Sequence, residues 1–505
     1  MPVTWRQLFW GEIMAIASMP VRMEEFKRRV VGLVEAGECI LGDAAALSSY
    51  GSDALIRFRQ SPEVVVIAKN AAEVRAVVSL CAELGIPFVG RGSGTGLSGG
   101  AVPPAGGVVI AASAMREIIE IDPVDRIAVV EPGVANLVVS ERAAPFGLYY
   151  APDPSSQSVC SIGGNVAENS GGAHCLKYGF TTNHVLAMEV VLPDGTLEIL
   201  GGESPFEPGL DLRSAFLGSE GTLGIVTKVW LRMLSRPEAV RTLVADFESV
   251  ASAGAAVSAI IAAGIVPAAI EMMDALAIEA CEKAVGAGYS LDTAAALIVE
   301  VDGSQEEVDV LYEEVKSSCI SCGSTKIREA ADQAERSRIW LGRKAAFAAA
   351  GRLAPAYIVQ DGVVPRTALA SVLERIAELA QEAGLRVANV FHAGDGNLHP
   401  LVLYNPDSAE ESEAAEKLST EVVEMCVEIG GSITGEHGVG LEKACSMAAM
   451  FDRGDLDAMQ RLRVAFDAEG ISNPGKVLPS PRLCGDVPGR YRAHPLELSG
   501  EAVRF

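Results

Sequence analysis

An α+β protein of two main domains is the fold class this sequence predicts, and three observations predict it. At 505 residues the chain is longer than one hydrophobic core normally serves. From about residue 57 to 236, short apolar strands alternate with glycine-rich loops. From 237 to 440 the texture changes. Residues 242–246, 295–301 and 357–360 read as strands, each followed by a long Ala/Glu/Lys helix. Strand–helix units with amphipathic helices imply a sheet covered by helices on one face.

The first 56 residues read as a helix over residues 23–35 followed by irregular chain. From Glu63 a rhythm begins: a strand over 64–67, a helix over 71–84 and a strand over 87–90. Residues 249–270 carry no charge and are long enough to cross a bilayer. They are mostly Ala, Gly and Ser, and Gly264 and Pro267 interrupt them, so they read as a soluble helix over 250–263 and then a strand. Cys319 and Cys322 form a lone CxxC without the further ligands that an iron–sulfur cluster needs, and read as ordinary thiols in a loop. The tail after Pro479 has Pro, Gly and Arg without periodicity and should wrap the surface.

Apolar residues make up 49% and charged residues 21% of the chain, the balance of an ordinary globular protein. A net charge of −25 without a basic cluster argues against nucleic acid and anionic membrane surfaces as partners. Residues 1–20 include Glu12 and lack a cleavage pattern, so no secretion signal is read there. The ten scattered cysteines are then expected as reduced thiols in a cytoplasmic protein.

The first chemical motif is Arg91-Gly92-Ser93-Gly94-Thr95-Gly96-Leu97-Ser98-Gly99-Gly100. It contains a literal GxGxxG, with Glu120 about twenty residues on, as in a dinucleotide fold. Such a loop must open a helix, however, and Pro103-Pro104 forbids one here. The loop instead joins two strands and can cradle phosphates only through consecutive backbone N–H groups. Two further segments of small and short polar residues follow. One runs from Pro152 and Asp153 through Ser155, Ser156 and Ser161-Ile162-Gly163-Gly164-Asn165, and the other is Gly221-Thr222-Leu223-Gly224-Ile225-Val226.

Three of the six histidines crowd into two glycine-rich segments, His392-Ala393-Gly394-Asp395-Gly396-Asn397-Leu398-His399 and Gly435-Glu436-His437-Gly438. Together they offer two imidazoles and a carboxylate to a divalent metal, with one imidazole left over as a base. His392 and His399 are seven apart, too far for one helix face. A strand over 387–391, a turn and a strand over 398–404 would form a hairpin that brings both to one mouth. Glu436 and His437 would point apart in a regular strand, but their flanking glycines permit an irregular backbone.

The three glycine segments, in this order, resemble the FAD-binding domain of the vanillyl-alcohol-oxidase (PCMH-type) flavoprotein superfamily. With HAGDGNLH, GEHGVG and Asn473-Pro474-Gly475-Lys476 added, residues 40 to 480 resemble the branch of the glycolate oxidase large subunit and D-lactate dehydrogenase. The resemblance implies a PCMH-type FAD domain over 57–236 and a cap domain with a helix-covered antiparallel sheet over 237–440. It also implies a C-terminal segment over 441–505 that returns to the FAD domain. FAD's pyrophosphate would lie on residues 91–100, with the second and third segments alongside and Asn473 and Lys476 near the flavin. No histidine occurs in the first loop, so the FAD should be non-covalent.

The resemblance further implies His392, His399 and Glu436 as metal ligands, with zinc, manganese and iron all tolerating the set, and His437 as base. It places the arginine for the substrate carboxylate at Arg343, whose fork suits a carboxylate better than Lys344 does. The expected reaction is oxidation of a small (R)-2-hydroxy acid, D-lactate or glycolate, to the 2-oxo acid, by metal-assisted hydride transfer to flavin. The chain has no cluster ligands of its own, so electrons must leave through an iron–sulfur protein, an electron-transferring flavoprotein or a quinone. That predicts a hetero-oligomer peripheral to a membrane-associated complex. His174, His184 and His494 receive no role.

Overall fold

The strand–helix–strand rhythm after Glu63 forms the first layer of the computed structural model, which describes residues 19–204, 208–480 and 484. Strands β1 (Glu38–Leu41), β2 (Val64–Ile67), β3 (Phe88–Arg91) and β4 (Val108–Ala111) make a sheet of order β1-β2-β4-β3. β2, β3 and β4 run parallel, with helix α1 (Ala71–Leu84) crossing over between β2 and β3. The Asn70 side chain accepts the Glu73 N–H to start α1, and Gly85 ends it at φ +60°. The glycine loop therefore joins two parallel strands, as expected, and opens no helix.

A second, antiparallel sheet holds β5 (Ile118–Asp122), β6 (Ile127–Val130), β7 (Val185–Val191), β8 (Leu197–Gly201) and β9 (Ile225–Arg232), in the order β5-β6-β9-β7-β8. Between β6 and β7 lies α2 (Ile162–Glu168), whose first turn is capped by the Ser161 hydroxyl on the Gly164 N–H.

The second half of the chain is one eight-stranded antiparallel sheet. Its strands are β10 (Ala239–Phe247), β11 (Ala269–Asp274), β12 (Ala295–Gly303), β13 (Ser324–Glu329), β14 (Ala356–Val359), β15 (Gly362–Val363), β16 (Arg386–His392) and β17 (Asn397–Tyr404). The order is β13-β10-β12-β11-β16-β17-β14, with β15 also pairing β17. Alternating side chains separate its two faces. One face (Leu243, Ala245, Met272, Leu297, Phe391, Val402) packs against α3 (Val250–Ala262), α5 (Gln305–Ser321), α7 (Leu369–Glu382) and α8 (Ala409–Glu428).

Helices on one face alone are too few. The opposite face (Met273, Ile298, Ala388, Val390, Leu401, Leu403) carries α4 (Ala275–Val285) and α6 (Gln333–Ala350). This second face holds the chemistry described below.

The uncharged segment is α3 and then β11, and α3 lies between the sheet and α7 with Ala253, Ala256, Val257 and Ile260 buried. Among the described residues no helix is long and apolar enough to cross a membrane. The CxxC pair lies on a helix end rather than in a loop: Cys319 is buried in α5 and Cys322 caps it. The first helix covers residues 19–30, earlier than the 23–35 expected. One pair of thiols departs from the reduced state, because Cys445 and Cys484 form a disulfide. The readings made of residues 1–18, of His494 and of the rest of the tail fall outside the described residues.

The two halves meet through a buried ionic network. His174 Nδ1 lies 2.9 Å from Asp153 on the first half, and Nε2 lies 3.2 Å from Glu300 of β12 on the second. Arg336 of α6 forks onto the same Glu300 at 2.6 and 2.8 Å. Burial alone would lower the His174 pKa, but the Asp153 and Glu300 carboxylates outweigh it and raise the group to about 10. Each ring nitrogen therefore donates, and the ring is an imidazolium at neutral pH. A folded-state pKa above the ordinary 6.5 adds stability that is complete below pH 6.5 and fades as pH climbs to 10. Thermal melts of wild type and His174→Gln should differ by several degrees at pH 6 and converge near pH 10.5. A gap that stays constant with pH would remove the imidazolium.

Candidate active site between the two halves

A cavity of about 380 Å³ runs between the halves. Arg91, Gly92, Ser93, Gly94, Thr95, Gly96 and Leu97 form one wall. Ser155, Ser156, Ser161, Gly163, Gly164, Asn165, Gly221, Gly224, Ile225 and Val226 form others. Six further residues predicted for the cofactor stand one layer back. The Ser98 carbonyl accepts the Leu441 and Glu442 N–H groups, and the Pro152 carbonyl accepts Asn136 Nδ2. Asp153 holds His174, and Thr222 bonds the Ser219 carbonyl. Asn473 Nδ2 donates to the Gly100 and Glu220 carbonyls, and Lys476 Nζ to the Val102 carbonyl. These last two pin the glycine loop from behind.

The loop fits a phosphate-bearing cofactor on two grounds. A Cβ on Gly92 would run into the Ser161 hydroxyl, so only bare backbone can approach that closely. Arg91 Nη1 is buried without a hydrogen-bond partner in a side chain that lines the cavity, a donor placed for an anion.

At the cap end of the cavity stand Lys344 and Phe347 of α6, with Glu436 and His437. Behind them lies the histidine hairpin. His392 ends β16 and pairs Asn397, while His399 on β17 pairs Val390, so the two imidazoles are diagonal neighbours on one face. Gly396 turns the hairpin at φ +84°. The ring centroids are 5.2 Å apart at 88°.

The strand partners orient the rings. Glu271 on β11 lies opposite His392, and its carboxylate meets Nδ1 at 2.7 Å. Pro400 has no N–H for the Gln360 carbonyl, and that carbonyl instead accepts His399 Nδ1 at 3.3 Å. Both Nδ1 atoms are thus occupied by acceptors, and both Nε2 atoms turn inward, each 3.2 Å from Glu436 Oε1. His399 Nε2 is buried and makes no hydrogen bond. Two imidazole nitrogens and a carboxylate oxygen converging in a buried space suit a divalent cation, with the outer carboxylate and carbonyl steering the rings.

His437 stacks on His399, centroids 4.8 Å apart at 7°. Burial dominates its titration and, with the neighbouring His399 and Lys443, outweighs Asp361 and Glu436, lowering it to about 4. The ring is therefore a neutral base at physiological pH. Its Nδ1 is buried and unbonded, and its Nε2 lies 3.9 Å from Glu436 Oε1.

Arg343 is where the structure departs from expectation. It is 2% exposed and does not line the cavity; Nη2 lies 2.6 Å from Glu271, behind His392. The cation at the cap end of the wall is the next residue, Lys344, 3.6 Å from Asp153. Sequence reasoning also missed Glu271, Asp361 and Glu220. Glu271 and Asp361 are single acidic residues in segments that no motif marks, and Glu220, though it adjoins the third glycine segment, receives no role there. Glu220 bridges the halves by accepting the Val439 and Gly440 N–H groups, both at 2.7 Å. Only an acid inside an apolar strand such as Ala269-Ile270-Glu271-Met272 offered a hint, since a lone buried carboxylate needs a partner.

Comparison with known proteins agrees with this geometry. Residues 62–201 match the sequence model of an FAD binding domain, and residues 236–477 match that of the C-terminal domain of FAD linked oxidases. The chain is 48% identical over 445 residues to the glycolate oxidase subunit GlcD of Escherichia coli (strain K12), covering 88% of this chain and 89% of that one. It is 38% identical over 429 residues to GlcD of Bacillus subtilis (strain 168), with 85% and 91% covered. The D-lactate dehydrogenase of Anaerostipes hadrus is 33% identical over 473 residues, with 91% and 97% covered. Among solved structures, p-cresol methylhydroxylase with substrate bound shares the fold at TM-score 0.76 and 19% identity, over 90% of this chain and 96% of that one.

Gly92→Ala should displace the Ser161 hydroxyl from the first turn of α2 and crowd the cofactor loop. We expect the purified variant to hold at least tenfold less FAD, read from the ratio of absorbance at 450 and 280 nm. Wild-type flavin content would show that this close approach is not needed.

Proposed function

The chain belongs to the FAD-linked oxidases of the vanillyl-alcohol-oxidase (PCMH-type) superfamily, in the branch of glycolate oxidase subunits and D-lactate dehydrogenases, and we propose that it oxidises a small (R)-2-hydroxy acid, D-lactate or glycolate, to the 2-oxo acid. One observation carries the reading: a neutral imidazole and a set of two buried histidines and one carboxylate meet at the cap end of the cofactor cavity. Such a set can hold an ion beside the base.

His392, His399 and Glu436 would hold zinc, manganese or iron. When bound, the ion supplies a Lewis acid to the substrate hydroxyl and FAD supplies a two-electron acceptor. Everything else falls to the chain. His437 Nε2 takes the hydroxyl proton. Glu271 and the Gln360 carbonyl keep both ligand rings in the tautomer that presents Nε2. The carboxylate is met from α6, by Lys344 at the wall with Arg343 one layer behind it on Glu271. With no histidine in residues 91–100, FAD is held without a covalent bond.

A second reading concerns assembly. Among the described residues, no group of cysteines is placed to hold a cluster, and relatives bear the name of subunits of a glycolate oxidase. We therefore read the chain as the catalytic flavin subunit of a cytoplasmic complex. Its electrons leave through an iron–sulfur protein, an electron-transferring flavoprotein or a quinone.

Stopped-flow bleaching of the flavin against both enantiomers of a panel of 2-hydroxy acids tests the reaction. Loss of absorbance with D-lactate or glycolate and none with L-lactate is expected. His437→Ala should slow reduction by about 10²–10⁴, and a variant as fast as wild type would remove the base. Lys344→Met should weaken substrate binding about tenfold with little change in the limiting rate, the signature of a group that binds without sharing in the transition state.

A further inference from the structure

Asp361 lies between β14 and β15, fully buried, in a segment that no motif marks. Val359 pairs Leu401 and Gly362 pairs Leu398, so one register runs through the gap and sets Asp361 across the strand from His399. The carboxylate lies 3.9 Å from His399 Nδ1. Its other side faces the loop that carries Glu436 and His437.

That loop is wound on the carboxylate. The Thr434 hydroxyl donates to Asp361 Oδ2 at 2.5 Å, the Gly435 N–H at 3.0 Å and the His437 N–H at 2.9 Å. The Glu436 N–H is shared between both oxygens at 3.2 Å. Lys443 Nζ closes the ring at 3.4 Å. Thr434 Oγ1 in turn accepts the Gly438 N–H at 3.0 Å. Three successive backbone N–H groups converging on one anion form a nest, a concavity that binds a negative charge.

We propose that Asp361 is a positioning residue of the active site, an internal anion around which the loop folds so that Glu436 and His437 both face the cavity. Consecutive side chains in extended backbone point to opposite sides. Here the nest replaces extended backbone, and the metal-ligating carboxylate and the base emerge together. Because Asp361 also faces His399, one side chain registers the loop against the hairpin. The inference rests on the reading of His392, His399 and Glu436 as metal ligands, and it adds the group that makes the third ligand available.

Cobalt(II) titration of the chelator-treated, FAD-loaded protein tests it, following the visible d–d band. Asp361→Asn keeps the shape but turns one acceptor oxygen into a donor. Its cobalt affinity should fall about 10–100-fold, as expected when an outer partner of a metal ligand is lost, while flavin content is kept. Thr434→Val leaves the carboxylate and removes one donor. It should weaken cobalt about fivefold, one hydrogen bond's worth, and it decides the matter if Asp361→Asn fails to fold. Wild-type affinity and band shape in Thr434→Val, or in a folded Asp361→Asn, would overturn the role of Asp361 and leave the metal site standing. A wild-type protein that binds no cobalt would overturn the metal site and this inference with it.

Discussion

Two imidazole nitrogens and a carboxylate oxygen, each imidazole 3.2 Å from the carboxylate, converge at the cap end of the cavity. Donor atoms gathered so closely suit a cation. Every surrounding choice follows from holding them there. Glu271 grips one ring from the neighbouring strand, and Arg343 compensates Glu271. A carbonyl freed by Pro400 grips the other ring. These outer groups come from strands and a helix rather than loops, so their positions are set by sheet register and core packing. A half-ångström error would cost the arrangement its function.

The same constellation must also reach a cofactor bound by the other half of the chain. The loop from Thr434 to Gly440 does this by being fastened at both ends, to Asp361 on the cap side and to Glu220 on the cofactor side. Asn473 and Lys476 return from the C-terminal part of the chain to hold the glycine loop and the Glu220 turn from below. The His174 network joins the halves at a second place. Two fastenings make a hinge between the halves costly, as suits a site whose parts are divided between them.

Much of this was legible in the chain. Helix α1 could be read to the residue because apolar periodicity, an Asn cap and a terminating glycine agree. The hairpin could be read because Gly396 and its neighbours spell a turn between two apolar runs. Pro103-Pro104 ruled out a dinucleotide-fold helix on local sterics alone. The roles of Arg343 and Lys344 could not be read, since adjacent residues on a helix point about 100° apart and only the packing of α6 says which faces the cavity. Cys445 and Cys484 are 39 residues apart, and nothing in either neighbourhood reveals the other.

By itself, then, the sequence determined the elements, the glycine loops and the scarce histidines gathered into two of them, because these depend on backbone sterics and short-range periodicity. The tertiary structure decided where those histidines stand and which groups face them. Glu271, Gln360, Asp361 and Glu220 lie between 39 and 220 residues from the groups they orient. A hydrogen bond across that separation exists only once two strands have paired in register or two halves have closed. Local chemistry could name the candidate residues, and folding alone could aim them.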